Sequence, residues 1–380
     1  MTVRPEAFIV FQYSTGVGHL ARCSTIAKAL SSISHVTMFS GGTPIEGYSA
    51  PPGVDFVQLP AIRWDLAPDW VPVPVDPRYT MAEIRRMRSE LLVQSYLRIK
   101  PEIVIVEYFP FEPKRFGETL NELFEVINKE EKRPVVICSI RTYPRVSAAG
   151  TDPAWINEQL RKNFSGVLHH TDAKLFPLTS LGTYIQSALR GVPVWQTGFI
   201  RRPLPRMEHD RPSKGLLLTI GGNTLGGKLL GRWIHAARSG SPDLFPISAV
   251  CGPLMDAEDR KNIHAERGQK IDVYDWVENM DELISSSRAV VCLGGYNTLV
   301  EALSLKKPVL AFPNSALGDQ TLQVNTLQAQ GMLLKGDSSQ SENEMTALMN
   351  QLLNFHPRRL IDFNGTERSV EIVKQLLYAR

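Results

Sequence analysis

A chain of 380 residues, 43% hydrophobic and 21% charged, has the composition of a globular protein and is too long for one ordinary core, so two domains are expected. The formal charge of +3 is small and its basic residues are dispersed, which excludes the footprint of a nucleic-acid binder. The cysteines (Cys23, Cys138, Cys251, Cys292) lie far apart with no C-x-x-C pair, so the spacing suggests neither a zinc site nor a disulfide framework and fits a reducing, cytoplasmic compartment.

The opening "MTVRPEAFIVFQY" passes into a strand with no signal-peptide h-region. No apolar run approaches the ~18–20 residues of a membrane span. "AFIVFQY" (7–13) reads as a buried strand, "GHLARCSTIAKAL" (18–30) as a helix and "HVTMFSG" (35–41) as a strand. From about 43 to 78 the alternation gives way to a long proline-rich loop holding Trp64 and Trp70. "PEIVIVE" (101–107) and "RPVVICSI" (133–140) are buried strands flanking the helix-like "KRFGETLNELFEVINKE", and "GVLHHTD" and "VPVWQTG" add two more strands. The basic, proline-interrupted "IRRPLPRMEHDRPSK" (200–214) reads as an interdomain linker. Behind it a second alternation runs from "GLLLTIGG" (215–222) to the helix "DQTLQVNTLQAQG", and "TERSVEIVKQLLYAR" forms a last amphipathic helix. The fold class is therefore α/β, with two parallel-sheet domains, and ligands are expected beyond the carboxyl ends of the strands.

At the first strand end, "STGVGHLAR" is a poor dinucleotide fingerprint, since Ala21 takes the third glycine's offset and no acidic residue ends the next strand. Its notable residue is His19, behind Gly18 in the first turn of a helix. It reads either as a buried histidine bonded to a carbonyl or as a general base. Glu107 ends the buried strand 101–106 on the same edge, so a His19–Glu107 pair is one outcome and an exposed loop glutamate the other. Arg141 also follows a buried strand, as an anion ligand or a surface arginine.

In the second half "TIGGNTLGG" (219–227), with Gly222 and Asn223, offers a weak anion cradle. In "CLGGYNTLVEAL", Gly294 and Gly295 remove side chains where a ligand meets backbone, and Asn297 or Thr298 is expected to cap a helix whose N-terminus suits a diphosphate. Thr298-x-x-Glu301 has capping-box spacing, which is one account of Glu301. Asp319-Gln320 suits vicinal hydroxyls or simple N-capping, and Trp276 with Val277 suits a nucleobase, unless Trp276 is core.

In order and spacing, Trp276, Gly294-Gly295-Tyr296-Asn297-Thr298, Glu301, Pro313, Asp319-Gln320 and Asn325 resemble the donor site of GT-B glycosyltransferases, nearest the branch of glycosyltransferase family 28. "VEYFPF" and "TGVGHLAR" resemble that family's amino-terminal motifs. The resemblance implies two Rossmann-like domains facing an interdomain cleft: an acceptor-side domain 1–205, a nucleotide-sugar domain 206–355, and a C-terminal helix 356–380 returning to the first. It implies that the backbone near Gly295 and Asn297 holds the diphosphate, Glu301 the ribose, Asp319 and Gln320 the sugar, and Trp276 and Val277 the base, with Gly222, Asn223, Gly294 and Thr298 also on the donor side. His19 would deprotonate the acceptor beside Glu107, with Gly18 and Arg141 on the acceptor side.

One glycine rather than a pair before His19, and Arg22 where relatives carry proline, depart from the pattern. The activity implied is inverting, metal-independent transfer from a UDP-sugar, with no cofactor, to a small-molecule or lipid-linked acceptor. The alternative is a nucleotide-sugar 2-epimerase or hydrolase. Peripheral membrane action is a further expectation, resting on the stretch 51–77 and the basic linker, although no basic amphipathic helix is evident.

Overall fold

Unbroken runs of Val, Ile and Phe form strands buried on both faces only if helices cover both sides of a parallel sheet. The computed structural model, which describes residues 4–13, 16–65, 71–141, 151–203, 213–222, 226–277, 279–314, 318–358 and 361–379, has two such sheets. In chain order the first half holds β1 (Glu6–Phe11), α1 (Gly18–Leu30), β2 (His35–Ser40), β3 (Val54–Gln58), β4 (Ile62–Asp65), β5 (Val71–Pro74), α2 (Met81–Ile99) and β6 (Ile103–Glu107). It continues with α3 (Pro113–Phe116), α4 (Asn121–Lys129), β7 (Val135–Ile140), α5 (Pro153–Asn163), β8 (Gly166–His169), α6 (Thr183–Ala188) and β9 (Val194–Gln196). The second half holds β10 (Leu216–Thr219), α7 (Gly227–Arg238), β11 (Ile247–Val250), α8 (Ala257–Ala265), β12 (Ile271–Tyr274), α9 (Met280–Ser286) and β13 (Ala289–Cys292). It closes with α10 (Tyr296–Ser304), β14 (Val309–Ala311), α11 (Gly318–Ala329), β15 (Leu334–Lys335), α12 (Glu342–Leu352) and α13 (Gly365–Tyr378).

The chain divides into two units, Met1–Ser14 with His19–Ile200 and Asp362–Arg380, and Thr15–Gly18 with Arg201–Ile361. The first carries a seven-stranded parallel sheet ordered β3-β2-β1-β6-β7-β8-β9. The second carries a six-stranded parallel sheet ordered β12-β11-β10-β13-β14-β15. Each reverses direction once, between β1 and β6 and between β10 and β13. Those two crevices are where a doubly wound sheet binds ligands.

The last helix belongs to the first unit. Phe199 N donates to Asp362 O (2.8 Å), Gly365 N to Phe199 O (3.1 Å) and Arg368 Nη1 to Thr197 O (2.6 Å).

The stretch 43–78 is not one loop. β3 pairs in parallel with β2, and β4 and β5 form an antiparallel hairpin in which Trp64 lies opposite Pro72. Prolines hide β5 from a hydropathy reading, but a two-stranded hairpin leaves outward-facing amides unused, so proline is tolerated there. Trp70 lies outside the described residues. Helix α2, with no counterpart among the expected elements, is fixed by a capping box between Thr80 and Glu83, and it buries Ile84, Leu92 and Tyr96 along one face.

All four cysteines are free and buried. Among the described residues no helix is long and apolar enough to cross a membrane.

Candidate active site

Both candidate regions sit at the crevices of their own sheets. In the first, β1 leads into α1, whose second residue is His19, and β6 ends on Glu107. His19 Nδ1 lies 2.6 Å from Glu107 Oε2, with both side chains buried. A carboxylate only accepts, so Nδ1 carries a proton, and in the neutral ring the lone pair falls on Nε2, the tautomer a general base needs. The structure thus pairs His19 with Glu107 and excludes the exposed-loop alternative.

The third member of this group, Arg22, enters the sequence reading only as a departure from the family pattern. Arg22 is fully buried, its Nη2 donates to Glu107 Oε1, and the same nitrogen lies 3.4 Å from His19 Nδ1. Helical spacing supplies the signal, since residues three apart share a face. Glu107 therefore has one oxygen on the imidazole and one on the guanidinium, which meets the cost of burying a charge. Tyr108, next in chain, takes the left-handed conformation (φ 64°), and its ring stands edge-on to His19 at 5.3 Å. A non-glycine residue held there stores roughly 1–3 kcal/mol of strain, a device found at functional sites. Half-buried Arg141 donates from Nε to the Tyr108 hydroxyl (3.0 Å) and lies over its ring, so it supports Tyr108 rather than standing on the open surface. Gly18 is the first residue of α1.

In the second unit α10 starts at Tyr296 with Gly295 as its N-cap and no side-chain cap. Asn297 and Thr298 are thus first-turn residues, which corrects the expectation that either caps the helix, and the Thr298–Glu301 capping box does not form. The reason is the short connection: β13 ends at Cys292 and Gly294 turns the chain at φ 78°, so the helix begins before Thr298. A Cβ on Gly294 would stand 2.6 Å from Val324 Cγ2, so both conformation and space demand glycine.

A Cβ on Gly221 would lie 3.5 Å from Thr298 Oγ1, and one on Gly295 4.0 Å from Gln320 Nε2. The structure therefore gathers the loop after β10, which includes half-buried Gly222, the start of α10 and Gln320 of α11. Gln320 Oε1 also accepts from Asn314 N at 3.3 Å. Asn223 lies outside the described residues, as does the side chain of Asp319, whose backbone falls in the first turn of α11. Trp276, after β12, is 46% exposed and is not core, and Val277 beside it is half-buried.

Glu301 is buried on α10 and neither caps nor stands alone. Arg202 donates to its Oε1 from Nη2 (2.6 Å) and Nε (3.1 Å), and Asp281 Oδ2 lies 3.9 Å from the same guanidinium. Nothing in the sequence marks Arg202, which falls in the stretch that reads as linker. Burial holds the Glu301 carboxyl above its ordinary 4.5, opposed by Arg202 and assisted by Asp281; burial likewise raises Asp281 above 3.8 against Arg202 and Arg201. Burial would lower the Arg202 guanidinium, but Glu301 and Asp281 hold it above its ordinary value.

Raised carboxyl values mean that the folded chain binds more protons than the unfolded one. Their contribution is therefore fully present below the unfolded values and is lost as pH rises through the folded ones. Asp281→Asn is expected to flatten that falling limb relative to the parent in urea denaturation measured from the ordinary carboxylate range up to neutrality. Parallel pH profiles would show that Asp281 carries none of it.

Residues 218–371 match the glycosyltransferase family 28 C-terminal domain. A UDP-N-acetylglucosamine–N-acetylmuramyl-(pentapeptide) pyrophosphoryl-undecaprenol N-acetylglucosamine transferase of Clostridium botulinum (strain Kyoto / Type A2) is 28% identical over 177 residues, 43% of this chain and 48% of that protein. The chain spans about half the length of the curated relatives it matches.

Among solved structures, Acinetobacter baumannii MurG superposes with TM-score 0.58 at 17% identity, covering 98% of this chain and 100% of that one. Phytolacca americana UGT2, complexed with UDP-2fluoro-glucose and pterostilbene, gives 0.57 at 15% identity over 99% and 94%. The calicheamicin glycosyltransferase CalG4 gives 0.56 at 11% identity over 100% and 99%. The fold is thus that of the GT-B glycosyltransferases, and residues 218–371 resemble the C-terminal domain of glycosyltransferase family 28.

Proposed function

We propose that the chain is an inverting glycosyltransferase that moves a sugar from a nucleotide-diphosphate sugar, a UDP-sugar in the first instance, to a hydroxyl or amine of a small-molecule or lipid-linked acceptor. The observation that carries this reading is the buried His19–Glu107 pair at the crevice of the first sheet. His19 Nε2 takes the acceptor proton as its oxygen attacks the anomeric carbon, and Glu107 holds the ring in the tautomer that permits this. Attack opposite the leaving group inverts the centre. The relative's name, a transferase from UDP-N-acetylglucosamine to a lipid-linked acceptor, supports the donor class and admits a membrane-surface acceptor.

The leaving diphosphate is neutralised by the first-turn amides of α10, where no side chain caps the helix, together with the loop after β10, so the step needs neither metal nor cofactor. Trp276 and Val277 take the base, Gln320 and Asp319 the sugar, and Glu301 the ribose. Both Arg202 bonds fall on Oε1, so Oε2 retains its capacity to accept from a ribose hydroxyl. The place of action is the cytoplasmic side, peripheral to the membrane when the acceptor is lipid-linked.

A thermal-shift screen with UDP, UDP-glucose and UDP-N-acetylglucosamine tests the donor: a ligand at 100-fold its Kd stabilises by ~2.7 kcal/mol. Glu301→Gln should weaken that ligand about ten- to a hundredfold, the range of a lost charged hydrogen bond. Absence of any shift, or rapid turnover of UDP-sugar without acceptor, would overturn the reading, and the latter would point to a 2-epimerase or hydrolase.

A further inference from the structure

The second sheet brings together a donor set that the transfer reaction does not use. Cys251 directly follows β11, Asp275 directly follows the neighbouring β12, and His264 lies in the last turn of α8. One ligand atom from each lies within 4.8 Å of the other two. Cys251 N donates to Tyr274 O (2.9 Å), so the backbone fixes the two strand ends against each other. His264 Nε2 lies 2.9 Å from Asp275 Oδ1.

We infer that Cys251, His264 and Asp275 form a binding site for one divalent transition-metal ion, with zinc the fitting species. The reasons are chemical. Thiolate, imidazole and carboxylate are the zinc donor types, sulfur discriminates against magnesium and calcium, and three protein ligands leave a fourth position for water. Bonds of about 2.0–2.3 Å place tetrahedral ligand atoms about 3.3–3.8 Å apart. The present spacing closes to that by rotation of His264 and Asp275, neither of which is buried.

Arg260 borders the site and shares Asp275 Oδ1 with His264, which leaves Oδ2 for the ion. Its Nη2 lies 3.1 Å from Gly252 O, 3.4 Å from Pro253 O and 3.3 Å from Met255 O, while Nη1 donates to Asp275 Oδ1 at 2.7 Å. Held by backbone, the guanidinium orients the carboxylate from outside, as outer partners of ligating carboxylates do. Thiolate and carboxylate carry two negative charges for the divalent ion. Binding of the ion takes the thiol proton, because the thiolate is the ligating form. Such an ion would tie the loops after β11 and β12 together one residue before Trp276. Wide sequence separation hides the set from a spacing search, which finds only C-x-x-C-like pairs.

The test uses the untagged, chelator-treated full chain titrated with Co²⁺, without donor or acceptor, so that its failure is separate from failure of the transferase reading. One equivalent should produce tetrahedral ligand-field bands and a sulfur-to-cobalt charge-transfer band, both bleached by Zn²⁺. Cys251→Ser should abolish the charge-transfer band, and His264→Ala, at a partly exposed position, should weaken binding at least tenfold. Absence of the bands at excess Co²⁺, or bands that persist undiminished in both variants, would overturn the assignment.

Discussion

His19→Ala is expected to lower the rate of sugar transfer by about 10²–10⁴-fold, the range for loss of a positioned general base, while the donor dissociation constant stays within about twofold. The split follows from where His19 stands. It pairs with Glu107 at the crevice of the first sheet, whereas the residues assigned to the donor belong to the second unit. The fold should survive, because Glu107 still has Arg22 on its other oxygen. His19→Gln, which can still donate to Glu107, should lose as much rate, since it has no lone pair of comparable basicity. Turnover is read as UDP release with an accepted acceptor, and donor affinity by calorimetry. Unchanged turnover in His19→Ala would remove His19 as the base.

How far the sequence discloses this arrangement depends on the range of the interaction. Strands such as 103–107 and 135–140 are readable because burial on both faces demands unbroken apolar runs, and the residue that breaks the run, Glu107, announces the strand end. His19 and Glu107 can be matched because a parallel sheet brings strand ends to one edge. The hairpin 62–74 is not readable, because proline suppresses the strand signal where amides are unneeded.

Arg22 and Arg202 are harder still. An arginine in an amphipathic helix or a basic linker ordinarily faces water. What holds these two in place is the carboxylate each meets 85 and 99 residues away. Glu301 shows the converse failure. The local spacing Thr298-x-x-Glu301 satisfies a capping box, yet the three-residue turn through Gly294 starts the helix too early for it. A local pattern states what can form, and the length of the connection decides whether it does.

Arg22→Met is expected to destabilise the chain by about 3–5 kcal/mol, the usual cost of removing one partner from a buried ion pair. Methionine fills much of the volume, so the loss is electrostatic: Glu107, 1% exposed, keeps a single oxygen on His19 and loses the charge that compensates it. The same reasoning predicts rescue. Adding Glu107→Gln removes the stranded charge, and the double variant should recover most of the loss, giving a coupling free energy of the order of 2–3 kcal/mol in a double-mutant cycle. Urea denaturation of the four proteins at neutral pH supplies the cycle. Additive single effects would mean that Arg22 holds α1 by packing alone. Coupling of the expected size would instead make Arg22 the residue that lets a glutamate remain ionised beneath the imidazole, so that one buried carboxylate both anchors the helix and orients the base.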